Sequence, residues 1–319
     1  MMQVYILKRV LLFPLTLFFA SLVIFLVLRV LPGDVAHVIL SSGGEATYTQ
    51  EEYRALRQQL GLDRPLYAQY GSWLWDLLRL DLGTSFYFKT SVAEEIGRRF
   101  PLTLELAVIA WAFSLLVGVT LGVLMAVYQD TWLDYLLRII SISGVTMPAY
   151  WTGSLIILVL VAVFGWLPPL GAVPLWKDPI KNIQQFTFPA LAIGYLYAAI
   201  IARMTRSAML EVLRQDYMRT AWAKGLPLFT GVRRHALKNA LIPVVTISGY
   251  QFGHLMAGVL ILEFLFAIPG LGRALFEGVR VRDYPMIQAV VMLTALVFLV
   301  SNLLVDISYA WLNPRIRYR

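Results

Sequence analysis

The chain offers little for covalent or acid–base chemistry. Cysteine is absent, which removes thiolate nucleophiles, disulfides and thiolate metal sites. There are three histidines, His37, His235 and His254, and no two lie four residues apart, so the His-Glu-x-x-His pattern that holds zinc is missing. Glu94 and Glu95 come closest to paired carboxylates for general acid–base work. They are adjacent in sequence and read as a solvated pair. No Gly-x-x-x-x-Gly-Lys-Ser/Thr loop is present to cradle phosphate, so the chain has no route of that kind to ATP hydrolysis. The residues with most to say are instead those of 216–243, DYMRTAWAKGLPLFTGVRRHALKNALIP, a basic, helix-forming stretch between apolar runs at 183–201 and 241–266. A turn between two membrane spans needs only a few residues. A longer one, patterned as two short helices with a break, has the character of a docking surface for another protein.

Local signals define that surface. Asp216 is a candidate N-cap for a helix over 217–224. Lys224 falls in the last turn, where a cation favours the helix dipole. Gly225 takes the position after the helix that tolerates positive φ, and Pro227 forbids continuation. Tyr217, Ala221 and Trp222 are then available on the surface, and the small residues Ala221 and Gly225 would admit a close partner. A second helix is expected over 231–240, ending at Pro243. The ordinary alternative is an amphipathic helix lying on anionic lipid.

The elements that would carry this loop are membrane spans. The 319 residues are 59% hydrophobic and 14% charged, against about 25% charged in soluble domains. A helix needs about 20 apolar residues to cross the hydrocarbon, and six such runs are found, at 10–30, 102–127, 139–164, 188–204, 242–266 and 286–312. They are continuous rather than alternating, so helices are expected and a barrel is not. The net charge of +8 clusters beside the spans. Lys8 and Arg9, Arg138 in a short loop, eight basic residues in 203–238, and Arg315, Arg317 and Arg319 all fall on one side of a six-span chain. That side is assigned to the cytoplasm, with both termini inside. The same pattern argues against nucleic acid as a partner and for a lipid bilayer. The basic start and long apolar run lack a cleavage site and read as a retained first span.

Segment 31–101 is then external. A capped helix is expected over 49–60, with Thr49 as N-cap, Glu52 completing a capping box, and Gly61 and Pro65 ending it. A second helix over 67–80 carries Tyr70, Trp73 and Trp75, aromatics suited to a membrane interface. The division is thus an N-terminal span (1–30), an extracytoplasmic cap (31–101) and a five-span core (102–319) that includes the loop 205–243. Within the spans, Gln251 and His254 make a candidate pore-facing stripe on span five, beside Gly249, Gly253 and Gly258, with tight helix packing as the alternative. Glu105 and Glu263 lie near outer ends and are expected to be half-solvated. Asn302 and Asp306, four apart, are expected to make interhelical contacts.

Taken together, these motifs resemble the importer-type ABC permeases, and more closely the dipeptide/oligopeptide/nickel permease family, as the first of its two permease subunits. The resemblance rests on 216–225 and 234–243, and on Leu31-Pro32-Gly33-Asp34 after the first span. It continues with Leu60-Gly61-Leu62-Asp63-Arg64-Pro65 and Asp81-Leu82-Gly83, with Phe164-Gly165-Trp166-Leu167-Pro168, and with Glu263 and Pro269-Gly270-Leu271-Gly272. Arg282-Asp283-Tyr284-Pro285, Asn302 with Asp306, and Pro314-Arg315-Ile316-Arg317 carry it to the end of the chain. Arg219-Thr220 stand where the general signature has Glu-Ala. Pro227, Leu228 and Phe229 stand where polar residues are usual, Val35 where a Pro is frequent and Asn313 where an Asp is frequent.

The resemblance implies an all-α integral membrane protein with six transmembrane helices, an external helical cap after the first span, and a cytoplasmic coupling-helix loop between spans four and five. It implies a pore subunit, not an enzyme, importing peptides or a related solute such as nickel across a bacterial or archaeal cytoplasmic membrane. Its partners would be a second homologous permease, two ABC ATPase subunits and an extracytoplasmic binding protein. The chain itself would bind no cofactor or metal, with ATP and Mg used by the ATPase subunits. Asp216, Tyr217, Arg219, Thr220, Ala221, Lys224 and Gly225 would form the coupling contact, ended by Pro243. An ion-gradient-driven secondary transporter is the alternative. It would need titratable relays in mid-span, and His254 alone is placed there.

Overall fold

The computed structural model describes residues 2–30, 34–41 and 48–312. The side chains of Lys8 and Arg9, the Leu31-Pro32-Gly33 part of the first motif, and Asn313 with the terminal 314–319 lie outside the described residues. Thirteen α-helices run in order: α1 (Met2–Val30), α2 (Val35–Ser41), α3 (Gln50–Gln59), α4 (Leu66–Leu78), α5 (Val92–Val127), α6 (Trp132–Thr146), α7 (Ala149–Phe164), α8 (Pro179–Leu213), α9 (Asp216–Ala223), α10 (Leu228–Gly231), α11 (Leu237–Leu265), α12 (Leu271–Val281) and α13 (Tyr284–Leu312), with a π-helical turn at Val232–Ala236 before α11. Five of them are long and apolar enough to cross a membrane, and α6 with α7 makes a sixth if that bent pair is one span.

The third expected span, 139–164, is not one straight helix. It breaks at Met147–Pro148, and its halves are bent by 110°. A residue before proline is pushed out of the helical region, and Met147 is extended at φ −88°, ψ 123°. Other prolines do not break their helices. Pro101 lies inside α5 and Pro189 inside α8, so the 101/102 boundary falls within a continuous helix. The expectation that Pro243 ends the loop is also corrected, because it lies inside α11. Proline withholds one amide from the ladder, and buried Ala240 and Val244 on either side anchor the helix. Such prolines are tolerated in spans where neighbouring helices compensate.

The bundle is built on α5 and α8, its most extensive helix pair. Gly118 and Gly122, four apart on α5, allow the backbones to meet. A Cβ on Gly118 would come within 2.7 Å of the Ala198 carbonyl, and one on Gly122 within 2.5 Å of Thr205. Lipid gives helices no hydrophobic reason to associate, so close approach through small residues substitutes for it. Leu106, Ala107 and Ala110 of α5, Phe186, Ala190 and Ile193 of α8, and Leu255, Met256, Val259 and Leu262 of α11 fill the central core.

The helices expected over 49–60 and 67–80 are present. Thr49 caps α3 in a reciprocal box with Glu52, and Gly61, at φ +67°, ends it. Tyr70 and Trp73 pack on Phe25 of α1 rather than facing outward, while Trp75 is exposed. Gln69 accepts from Arg29 Nε at 3.0 Å and donates to the carbonyls of Leu62 and Arg64. Partial burial would raise the Asp34 carboxyl, but the Tyr53 hydroxyl, the Ala36 amide and the Arg57 guanidinium outweigh it and hold the group below the usual range.

Candidate functional site

The segment α9–α10 hangs on a small core of its own. Met218 of α9 is completely buried among Ala208 and Met209 of α8, Ala126 of α5, and Val232, Ala236 and Ala240. Trp222 lies directly over Gly231, where a Cβ would come within 2.6 Å of the indole. Ala221 and Trp222 are therefore half-buried rather than freely available. Outside this foot, Arg219, Thr220, Lys224 and Gly225 are exposed, as are Tyr217, Leu228 and, most of all, Phe229. Tyr217 accepts from Asn239 Nδ2 at 2.9 Å, which ties the face of α9 to α11.

Two expected details are corrected. Asp216 is not the N-cap. Gln215 takes that place in extended geometry with no side-chain cap bond, and Asp216 begins the helix, where its charge still favours the dipole and meets Arg219 at 3.4 Å. The expected separate helix at 231–240 is instead α10, the π-turn and the start of α11 running together. The ending is as the sequence implies. Gly225 has φ +76°, its amide donates to Trp222 O at 2.9 Å, and the Leu226 amide donates to Ala221 O at 3.2 Å. That is a Schellman closure.

Beside this segment lies a charge cluster that includes Arg138, which was expected in a short loop. Arg138 is in α6. Asp134, fully buried, accepts from Arg138 Nε at 2.9 Å and from Arg206 Nε and Nη2 of α8 at 3.1 and 3.0 Å. Arg138 Nη2 donates as well, and the Asp130 amide adds a fifth donor at 3.0 Å. A carboxylate and an arginine four residues apart are legible in sequence, but the third partner, on another helix, is not.

The pore candidates are not brought together. Gln251 is buried within the chain, while His254 is exposed and stacks edge-on to Tyr250 and Phe298, with centroids 4.8 and 5.1 Å apart. Gly253 lies against Phe298 and Gly249 against Val305, as close packing between α11 and α13 requires. A cavity of about 470 Å³ opens instead one face away, between α8, α11 and α13. It is lined by Met204, Pro243, Thr246, Tyr250, Asn302 and Asp306.

Near the C-terminal end of α11, Glu263 is fully buried, not half-solvated. It accepts from the Gly272 amide at 2.6 Å, and Thr103 accepts from the Leu271 amide at 2.9 Å. Together they hold the first turn of α12. Glu105 is half-buried and accepts from Asn182 Nδ2 at 2.8 Å. Glu95 is buried rather than solvated, accepting from Thr90 Oγ1 and Arg99 Nε at 3.1 and 2.9 Å. Asp283, also buried, takes the Ser85 hydroxyl and the Tyr87 amide and so ties the cap segment to α13.

Comparison with known proteins decides the family. The binding-protein-dependent transport system inner membrane component matches residues 118–318, and the N-terminal part of such membrane components matches residues 1–107. The chain belongs to this family of importer-type ABC permeases. A glutathione transport system permease protein of Escherichia coli is 42% identical over 315 residues, 99% of each chain. A putative peptide transport system permease protein of Brucella melitensis is 38% identical over 318 residues, all of both. A crystal structure of an amino acid ABC transporter with histidines aligns with a TM-score of 0.48 at 16% identity, covering 70% of this permease and 95% of that chain.

The permease is therefore a multi-pass inner-membrane subunit of an ABC importer, working in a complex with ATPase and binding-protein partners. The secondary-transporter alternative is set aside.

Proposed function

We propose that this permease passes di- or oligopeptides, or a small related solute such as nickel, and that α9 is its coupling helix. The relatives named for glutathione and peptide transport support the peptide class. The carrying observation is the division of this element into a foot, formed by buried Met218 and half-buried Trp222, and an exposed face formed by Arg219 and Thr220 of α9 with Lys224 and Gly225 at its end. A lever needs both, one part fixed to the spans and one part free to be gripped. On this reading a second permease of the same kind completes the pathway. Two ATPase subunits bind ATP and Mg and grip the α9 faces, and a binding protein delivers solute to the outer side. Both termini are cytoplasmic, on the same side as α9. Neither Gln251 nor His254 needs to touch the solute within this chain, although His254 is free to face the second permease.

The test uses the complex reconstituted with its ATPase and binding-protein partners. Arg219→Glu with Lys224→Glu alters only exposed side chains. Solute-stimulated ATP hydrolysis is expected to fall at least about tenfold, a loss of about 1.4 kcal/mol of transition-state stabilisation, with the permease still in the membrane. Unchanged stimulation would remove α9 from the coupling path.

A further inference from the structure

A cavity of about 850 Å³ lies between α5, α6, α8 and the start of α9, and four of its lining residues are Arg138, Arg203, Arg206 and Arg214. Two of these are answered from within, since Arg138 and Arg206 both close on Asp134. Arg203 and Arg214 are exposed and have no ion-pair partner among the described residues. Glu211 and Asp216 also line the cavity, but Asp216 is turned to Arg219. The remaining charge is positive.

The walls are of a different kind. Met125, Ile142 and Leu210 line the same space, so an inorganic anion would leave most of it unfilled. Ile142 belongs to an apolar face of α6 that also exposes Trp132, Tyr135, Leu136 and Ile139. Trp and Tyr concentrate where hydrocarbon meets head groups, and the Arg138 guanidinium lies 4.8 Å from the Tyr135 ring centre. The cavity thus joins an exposed apolar face whose Trp and Tyr suit head-group depth.

We propose that this cavity is a binding site for an anionic phospholipid. The phosphodiester lies between Arg203 and Arg214, and an acyl chain runs over Ile142 and along α6. Guanidinium groups suit phosphate through paired N–H donors, and basic pockets between spans are where anionic head groups lodge. A bound lipid would bridge α6 and α8 to the root of α9.

The experiment is native mass spectrometry of the intact complex, in which assembly itself reports that the permease is folded. The wild-type complex is expected to retain phosphatidylglycerol or cardiolipin. Arg203→Gln with Arg214→Gln is expected to retain at least about tenfold less, and Arg203→Lys with Arg214→Lys to retain most of it. Equal retention by the Gln variant would overturn the site. So would displacement by inorganic phosphate or a dipeptide as readily as by added phosphatidylglycerol, which would make it an anion or solute site. The chain has no cysteine, so Ser207→Cys at the cavity wall reports alone. Its cross-linking to the second permease chain would make the cavity a protein interface and would equally overturn the proposal.

Discussion

Asp134 carries a full charge out of contact with water, and two helices close on it. Breaking a buried ion pair by removing one partner costs about 3–5 kcal/mol, because the other charges are left unanswered. Asp134→Ala is therefore expected to lower the thermal midpoint of the detergent-solubilised complex markedly. Arg138→Gln, which leaves Arg206 to answer the carboxylate, is expected to lower it less, and melting curves of the two variants check the order. The sequence holds the Asp134/Arg138 spacing but not Arg206, 72 residues away. Glu263 follows the same rule. Its place near the end of a span suggests solvent, whereas the amide of Gly272, folded back from α12, satisfies the buried carboxylate. Charge partners that arrive from a distant segment leave no local trace, and so the residues hardest to read were the buried carboxylates.

Helix ends were the easier elements to read. Thr49 with Glu52, Gly61 and Gly225 each act through bonds spanning five residues or fewer, and all appear where expected. Prolines were harder, because their effect depends on packing. Pro148 breaks a span, while Pro101, Pro189 and Pro243 are carried inside helices. The foot of α9 was also not legible, since Met218 and Trp222 find their partners on α5, α8 and the π-turn. Gly231 tests that foot. A Cβ there would displace the Trp222 ring, so Gly231→Val is expected to free α9 from the bundle. Faster proteolytic cleavage within 214–232 in membranes, with the rest of the chain intact, is the expected readout. Wild-type resistance would mean that the indole is not what fastens the element.

At the scale of the whole molecule, the apolar runs foretold a helical membrane bundle, and the segment after the first of them carries helices of its own. What they missed was length. The apolar stretch at 188–204 is the middle of a 35-residue helix and that at 102–127 the larger part of a 36-residue one, because polar turns continue a helix without adding to its hydropathy. The topology is testable with single cysteines in a chain that has none. Arg54→Cys, on α3, is expected to react with an impermeant maleimide added to intact cells. Arg219→Cys is expected to react only after the membrane is opened. Labelling of Arg219→Cys in intact cells would invert the orientation.

The length of α5 and α8 has a mechanical consequence. At 1.5 Å per residue such rods run about 54 Å, against about 30 Å of hydrocarbon, and Gly118 and Gly122 weld them side by side. A tilt of only about 5° about one end would swing the other through about 5 Å over that length. Small rotations at one end can therefore reach the other undiminished, without any segment having to unfold.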